Sequence, residues 1–150
     1  NGLCRDMITI LCVGKIKESY LCEMINDYSK RIKKYHKLEI VELKDSHKKE
    51  EGVLLLKHIQ KHSFVVTLEL DGEQLSSPEF AKQMDEWLMY YANITFIIGA
   101  SEGLDEIVSN RANKKISFGK NTFPHGLFRG ILLEQIYRGF KINNNETYHK

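Results

Sequence analysis

Short apolar runs recur along the chain at intervals long enough to hold a helix, and that alternation restricts the fold more than any other feature. Runs at residues 8–13, 38–44, 64–70, 94–98 and 115–118 read as strands. Between and after them, helical patterns cover about 18–36, 50–62, 77–91, 104–112 and 125–142. Consecutive strands that are each separated by a helix form βαβ crossovers, which demand a mostly parallel sheet with helices on both faces. The strands fit: Phe64-Val-Val-Thr-Leu68 is continuously apolar, as a strand buried on both sides must be. The expected class is therefore α/β.

Helix boundaries are partly legible. Ser77 can cap the helix over 77–91 with Pro78 at its first position, or Ser76 can form a capping box with Glu79. Within it Phe80, Met84, Trp87, Leu88 and Tyr91 recur at three and four, a core stripe rather than a base-stacking platform. Asp71-Gly72 reads as a tight turn. The last helix is unusual, because Gly126, Gly130 and Gly139 each weaken a helix interior by about 1 kcal/mol while Phe128, Ile131, Leu132, Leu133, Ile136, Tyr137 and Phe140 make it apolar on most sides. Gly126 and Gly130 share a face that permits close backbone approach. A packed internal neighbour and a subunit interface both satisfy it, and the interface is the preferred expectation.

The chain has 150 residues and 42% apolar content, which suits one domain over residues 7–150. Residues 1–6 precede the Met that opens the first strand and read as an artificial leader or an upstream extension. No apolar run approaches the ~20 residues of a membrane span, and Met7–Val13 is too short for a signal peptide, so a cytosolic protein is expected. Cys4, Cys12 and Cys22 cannot all pair and form no Cys-x-x-Cys, so they read as reduced packing thiols.

A net charge of +2 is too small to announce a nucleic-acid binder, although Lys30, Arg31, Lys33, Lys34 and Lys37 crowd one helix end. They either complement the helix dipole or contact phosphate. His58 and His62 sit one turn apart on the reading above, but Ile59 occupies the place where a zinc protease needs its Glu; no metal is expected.

Two loops carry the chemistry. The strand at 94–98 runs into Gly99-Ala-Ser-Glu-Gly103, and the strand at 115–118 into Gly119-Lys-Asn-Thr-Phe123, stiffened by Pro124. Polar, Gly-containing loops after parallel strands lie at the carboxyl edge of the sheet, where open α/β sheets bind ligands. No third Gly completes a dinucleotide fingerprint and no Gly-Lys-Ser/Thr follows, so neither NAD nor a nucleoside triphosphate is indicated. Backbone groups of the second loop can meet an adenine edge while Leu68 and Phe118 supply an apolar wall. The alternative for each is an ordinary turn joining strand to helix. At the chain end, Tyr148 and His149 are titratable, against the alternative of a loose tail; Arg138 can hold a phosphate or pair with Glu134 one turn earlier.

These residues also resemble a known family. Ile97-Ile-Gly-Ala-Ser-Glu-Gly103, Ile116-Ser-Phe-Gly-Lys-Asn-Thr-Phe-Pro-His125, Leu133-Glu-Gln-Ile-Tyr-Arg-Gly-Phe-Lys141 and the terminal Tyr148-His149-Lys150 are similar to the SPOUT methyltransferases, in particular the bacterial ones that act on 23S rRNA. Ile8 to Lys15 and Val66 to Gly72 extend the likeness to nearly the whole chain. It implies a C-terminal trefoil knot whose loops hold S-adenosylmethionine, a homodimer, and methylation of N3 of a pseudouridine in large-subunit rRNA of the assembled ribosome. Carried over by position, it implies cofactor contacts at Leu68, Gly99, Phe118, Gly119, Lys120, Asn121, Thr122 and Phe123, with His149, Tyr148 and Arg138 on the substrate side. Ala100, Gly119 and Asn121 depart from the family's usual residues. A ribosome-associated or RNA-binding module with the same fold but no catalysis is the alternative, favoured by loss of residues that this chain retains.

Overall fold

The computed structural model describes residues 6–100, 102–124 and 126–148. Five strands, β1 (Met7–Val13), β2 (Leu38–Leu43), β3 (Phe64–Gln74), β4 (Asn93–Ile98) and β5 (Lys114–Ser117), alternate with α1 (Ser19–Lys33), α2 (Lys48–His58), α3 (Ser77–Tyr90), α4 (Glu106–Arg111) and α5 (Leu127–Asn143). All strand pairs are parallel, in the order β2-β1-β4-β3-β5.

Strand alternation divides the core into two layers. Ile8, Ile10, Val66, Ile94 and Phe96 face one side, where they meet residues of α1, α3 and α5. Leu11, Val13, Val65 and Ile97 face the other, against Leu55 of α2 and Val108 of α4. Connections that step toward β2 run over the first face and those that step toward β5 over the second. The four crossovers thus share one hand, as twisted parallel strands require.

Local rules decide several ends. Ser76, rather than Ser77, caps α3: its Oγ accepts from Glu79 N at 3.2 Å while Glu79 Oε1 accepts from Ser76 N at 2.7 Å. Asp105 caps α4 by accepting from Ile107 N at 3.0 Å. α2 ends at His58, four residues earlier than its periodicity predicts. Ile59 turns to extended backbone and packs into the second core layer, so His58 and His62 do not share a helix.

Two expectations are corrected. Asp71-Gly72 is not a turn that ends a strand; it lies inside β3. Leu68 and Glu73 both pair with Ile116, so β3 makes a short excursion and returns to the same β5 residue. At Gly72 a Cβ would come within 2.6 Å of the Ile116 backbone, a crossing only Gly allows. The glycine face of α5 is also covered from within the chain. Gly126 stands before the helix with φ 89°, a left-handed backbone, and its added Cβ would meet Ile16 at 3.0 Å; Gly130 faces Met24 of α1 at 2.7 Å, and Gly139 faces Met84 of α3 at 2.8 Å. Packed between α1, α3 and the sheet, α5 buries Leu132, Leu133, Ile136 and Phe140.

Candidate functional site

The carboxyl ends of β1, β3, β4 and β5 converge on a cavity of about 490 Å³ whose walls include Val13, Leu68, Ile98 and Ile116. Each strand delivers its last residues there because the sheet is parallel, so the loops that follow share one edge. Leu68, Gly99, Phe118, Gly119, Thr122 and Phe123 all line it, whereas Lys120 and Asn121 are exposed and outside its wall. The fold therefore brings both loops and the β3 wall to one cavity, with Lys120 and Asn121 on the solvent side of the second loop.

The first loop is tightly made. Gly103 N donates to Ala100 O at 2.9 Å, which folds the turn back over Gly99; a Cβ on Gly99 would lie 2.8 Å from Gly103 O. In the second loop Ser117 Oγ receives the Gly119 N–H at 3.1 Å and approaches Gly119 O at 2.9 Å, while Gly119 takes φ 119°. Phe118 packs edge-on against Phe80 in the core and Phe123 against Phe128 at the start of α5, so both ends of the loop are anchored.

Charged walls are what sequence reasoning misses. Glu69 lines the cavity and accepts from Thr67 Oγ1 at 2.6 Å and Ser109 Oγ at 2.8 Å. Arg129, on the first turn of α5, also lines it and is 3% exposed. Its Nη1 pairs with the Glu42 carboxylate and its Nη2 donates to Gly14 O at 3.1 Å, which ties α5 to the ends of β1 and β2. Its buried Nε–H has no acceptor among the described residues. Leaving such a donor unpaired costs about 1–3 kcal/mol. The one signal available in sequence was a lone cation inside the apolar run from Leu127 to Leu133. Burial pushes the nearby Cys12 thiol up to about 11, with Glu42 adding to the shift and Arg129 opposing it, so this cysteine is a packing thiol.

The substrate-side candidates gather elsewhere, on the outer part of α5. Arg138 pairs with Glu134 at 2.9 Å, the one-turn bond considered above, and its guanidinium stacks 4.8 Å over the Tyr148 ring. Tyr148 donates to Glu134 Oε2 at 2.9 Å, lies 3.5 Å from the Tyr28 hydroxyl and packs edge-on against Tyr137. Burial, then the Tyr28 and Glu134 hydrogen bonds, push its phenol well above the ordinary range. The tail is thus docked rather than loose up to Tyr148, and Tyr35 adds a bond to Glu146 Oε1 at 2.6 Å. His149 lies outside the described residues. Arg138 is nine residues beyond Arg129, which places it about 13 Å further along the helix axis from the cavity.

At the end of α1, Lys30, Lys33, Lys34 and Lys37 are exposed, while Arg31 pairs with Asp27 at 3.2 Å and stacks on Tyr28 and Tyr137. The exposed lysines form a basic surface beside the docked tail.

Comparison with known proteins gives concordant likenesses. Residues 7–149 match the family model described as "Predicted SPOUT methyltransferase". The chain is 48% identical over 157 aligned positions to "Ribosomal RNA large subunit methyltransferase H" of Clostridium novyi (strain NT), covering 95% of this chain and 99% of that protein. It is 44% identical to the protein of the same description in Bifidobacterium animalis subsp. lactis (strain AD011), with the same coverage. The solved structure of a probable methylase family protein from Haemophilus influenzae Rd KW20 aligns with a TM-score of 0.58 at 12% identity, over 99% of this chain and 72% of that one, a likeness of fold alone.

Proposed function

The chain belongs to the SPOUT methyltransferase family, and from that premise we propose that it methylates N3 of a pseudouridine in 23S rRNA of the assembled ribosome, using S-adenosylmethionine, as a cytoplasmic homodimer of one-domain subunits. The observation that carries this reading is the cavity lined by both glycine loops at the carboxyl edge. The relatives' shared description as large-subunit rRNA methyltransferases supports the substrate class.

The residues fit the cofactor. Leu68 and Phe118 offer an apolar wall, the bare Cα of Gly99 leaves a cradle that a side chain would disturb, and Gly119 presents backbone with open space beside it. When bound, S-adenosylmethionine supplies an electrophilic methyl on a sulfonium. The protein's task is to exclude water, align the ring nitrogen with that methyl and take up the N3 proton. Tyr148 is unsuited to the last step, because a phenol held well above its ordinary range stays protonated at neutral pH. Its hydroxyl proton goes to Glu134 and Arg138 stacks on its ring, so it serves as a fixed positioning residue. His149 is then the proton acceptor.

Neither Arg138 nor Tyr148 lines the cavity of its own chain: Arg138 lies about 13 Å along α5 from Arg129, and Tyr148 is docked beside it against Glu134. The tail of one subunit therefore completes the pocket of a second copy, with the α1 lysines extending the RNA contact. Membership of the family supports a trefoil knot around the same pocket. The test is methyl transfer from labelled S-adenosylmethionine to ribosomes lacking the modification, with separate subunits and naked rRNA in parallel. Transfer to the assembled ribosomes is expected; no transfer to any of the three would sink the reading.

A further inference from the structure

A buried arginine with two of its nitrogens engaged and the third idle is an unfinished binding site. Nη1 and Nη2 of Arg129 are held by Glu42 and Gly14 O, which fixes the guanidinium plane at the cavity wall. The Nε–H, equally buried, meets no acceptor among the described residues. Burial of a charged donor without a partner is costly, so the working protein receives an acceptor from what fills the cavity. Glu42 and Gly14 O occupy Nη1 and Nη2, so the donor left for a ligand is the single Nε–H, whose strongest partner is a carboxylate oxygen.

We infer that Arg129 recognises the carboxylate of the methionyl group of the cofactor through its Nε–H, and so selects carboxylate-bearing adenosyl ligands. This rests on the cofactor reading above. The relay through Glu42 and Gly14 O makes the guanidinium a fixed fork rather than a mobile charge, and it couples cofactor binding to the junction of β1, β2 and α5.

Calorimetric titration of the full chain with four ligands tests it: S-adenosylmethionine, S-adenosylhomocysteine, decarboxylated S-adenosylmethionine and methylthioadenosine. The two carboxylate-bearing ligands should bind at least about tenfold more tightly than their counterparts without it, the scale of one charge-assisted hydrogen bond. In Arg129→Gln the gap between S-adenosylmethionine and its decarboxylated form should close, with methylthioadenosine binding unchanged. Arg129→Lys, which can keep the Glu42 pair but has no Nε fork, should close it as well. Indifference of the wild-type protein to the carboxylate overturns the inference without any variant, whatever the variants' folding. Equal weakening of all four ligands by both substitutions also overturns it, since that is the mark of a structural role. Failure of every ligand to bind the wild-type protein would instead remove the cofactor reading, and the inference with it.

Discussion

Gly99→Ala is the smallest change that probes the cavity wall. The added Cβ would sit 2.8 Å from Gly103 O and 2.8 Å from Leu104 Cδ2, about 0.6 Å inside the 3.4 Å of ordinary contact. Leu104 can rotate away, but Gly103 O is backbone in a turn closed by its own N–H to Ala100 O. The turn must therefore open, and overpacking of this kind costs about 1–3 kcal/mol. For a chain of this size that corresponds to a fall in Tm of roughly 2–4 °C per kcal/mol. Because Ala100, Glu102 and Gly103 line the cavity, the displacement falls on the cofactor wall. Loss of one or two kcal/mol of fit weakens affinity about tenfold. Titration with S-adenosylmethionine, alongside far-UV circular dichroism and thermal melting, should show weaker binding with native secondary structure and a modestly lowered Tm. Wild-type affinity and Tm in this variant would refute both the tightness of the turn and its place at the binding wall.

The other expectations separate rigid from yielding neighbours and own-chain from partner roles. Gly72→Ala should destabilise far more than Gly130→Ala, because the first meets the Ile116 backbone at 2.6 Å and the second only the flexible Met24 side chain; chemical denaturation that ranks them the other way would contradict the close crossing. Deleting residues 148–150 should cut methyl transfer at least about a hundredfold while leaving S-adenosylmethionine affinity unchanged, and mixing that deletion with Gly99→Val should restore part of the activity if tail and pocket come from different subunits. Two inactive parents that stay inactive when mixed, under conditions shown to exchange subunits, would remove the shared-site proposal. Hydrogen bonding from Tyr35 holds the Glu146 carboxyl below its ordinary value, so the tail clasp is complete above the unfolded pKa of about 4.3 and is lost as pH falls through the lower folded value. Hydrogen exchange of residues 144–148, corrected for intrinsic rates, should be flat from neutral pH to about 5 and rise only below about 4; loosening near pH 6 would contradict it.

Element order, strand parallelism and the loops at the carboxyl edge were legible because each has a local cause. A strand buried on both faces must be continuously apolar, and a crossover helix needs a stretch of chain of the length seen between these strands. Ser76 and Glu79 write their capping box within four residues, and the motif needs nothing from elsewhere in the chain. Leu68, Gly99 and Phe118 could be placed in one pocket because a parallel sheet brings the ends of its strands together. Gly72 could not be read correctly: a turn and a strand crossing ask the same residue for the same lack of a Cβ, and the difference is Ile116, forty-four positions away. Gly126 and Gly130 likewise signal close approach without naming the neighbour, and Ile16 and Met24 supply it from the start of the chain. Arg129 looks like a surface cation until α5 docks and the ends of β1 and β2 close around it; its burial, its pair with Glu42 and an Nε without an acceptor among the described residues exist only in three dimensions. Sequence determines what each segment can be, because propensity, capping and periodicity act over a few residues. Which groups share a wall, and which face of a helix is left to another molecule, is decided by packing between segments distant along the chain, and that is where the chemistry of this protein lies.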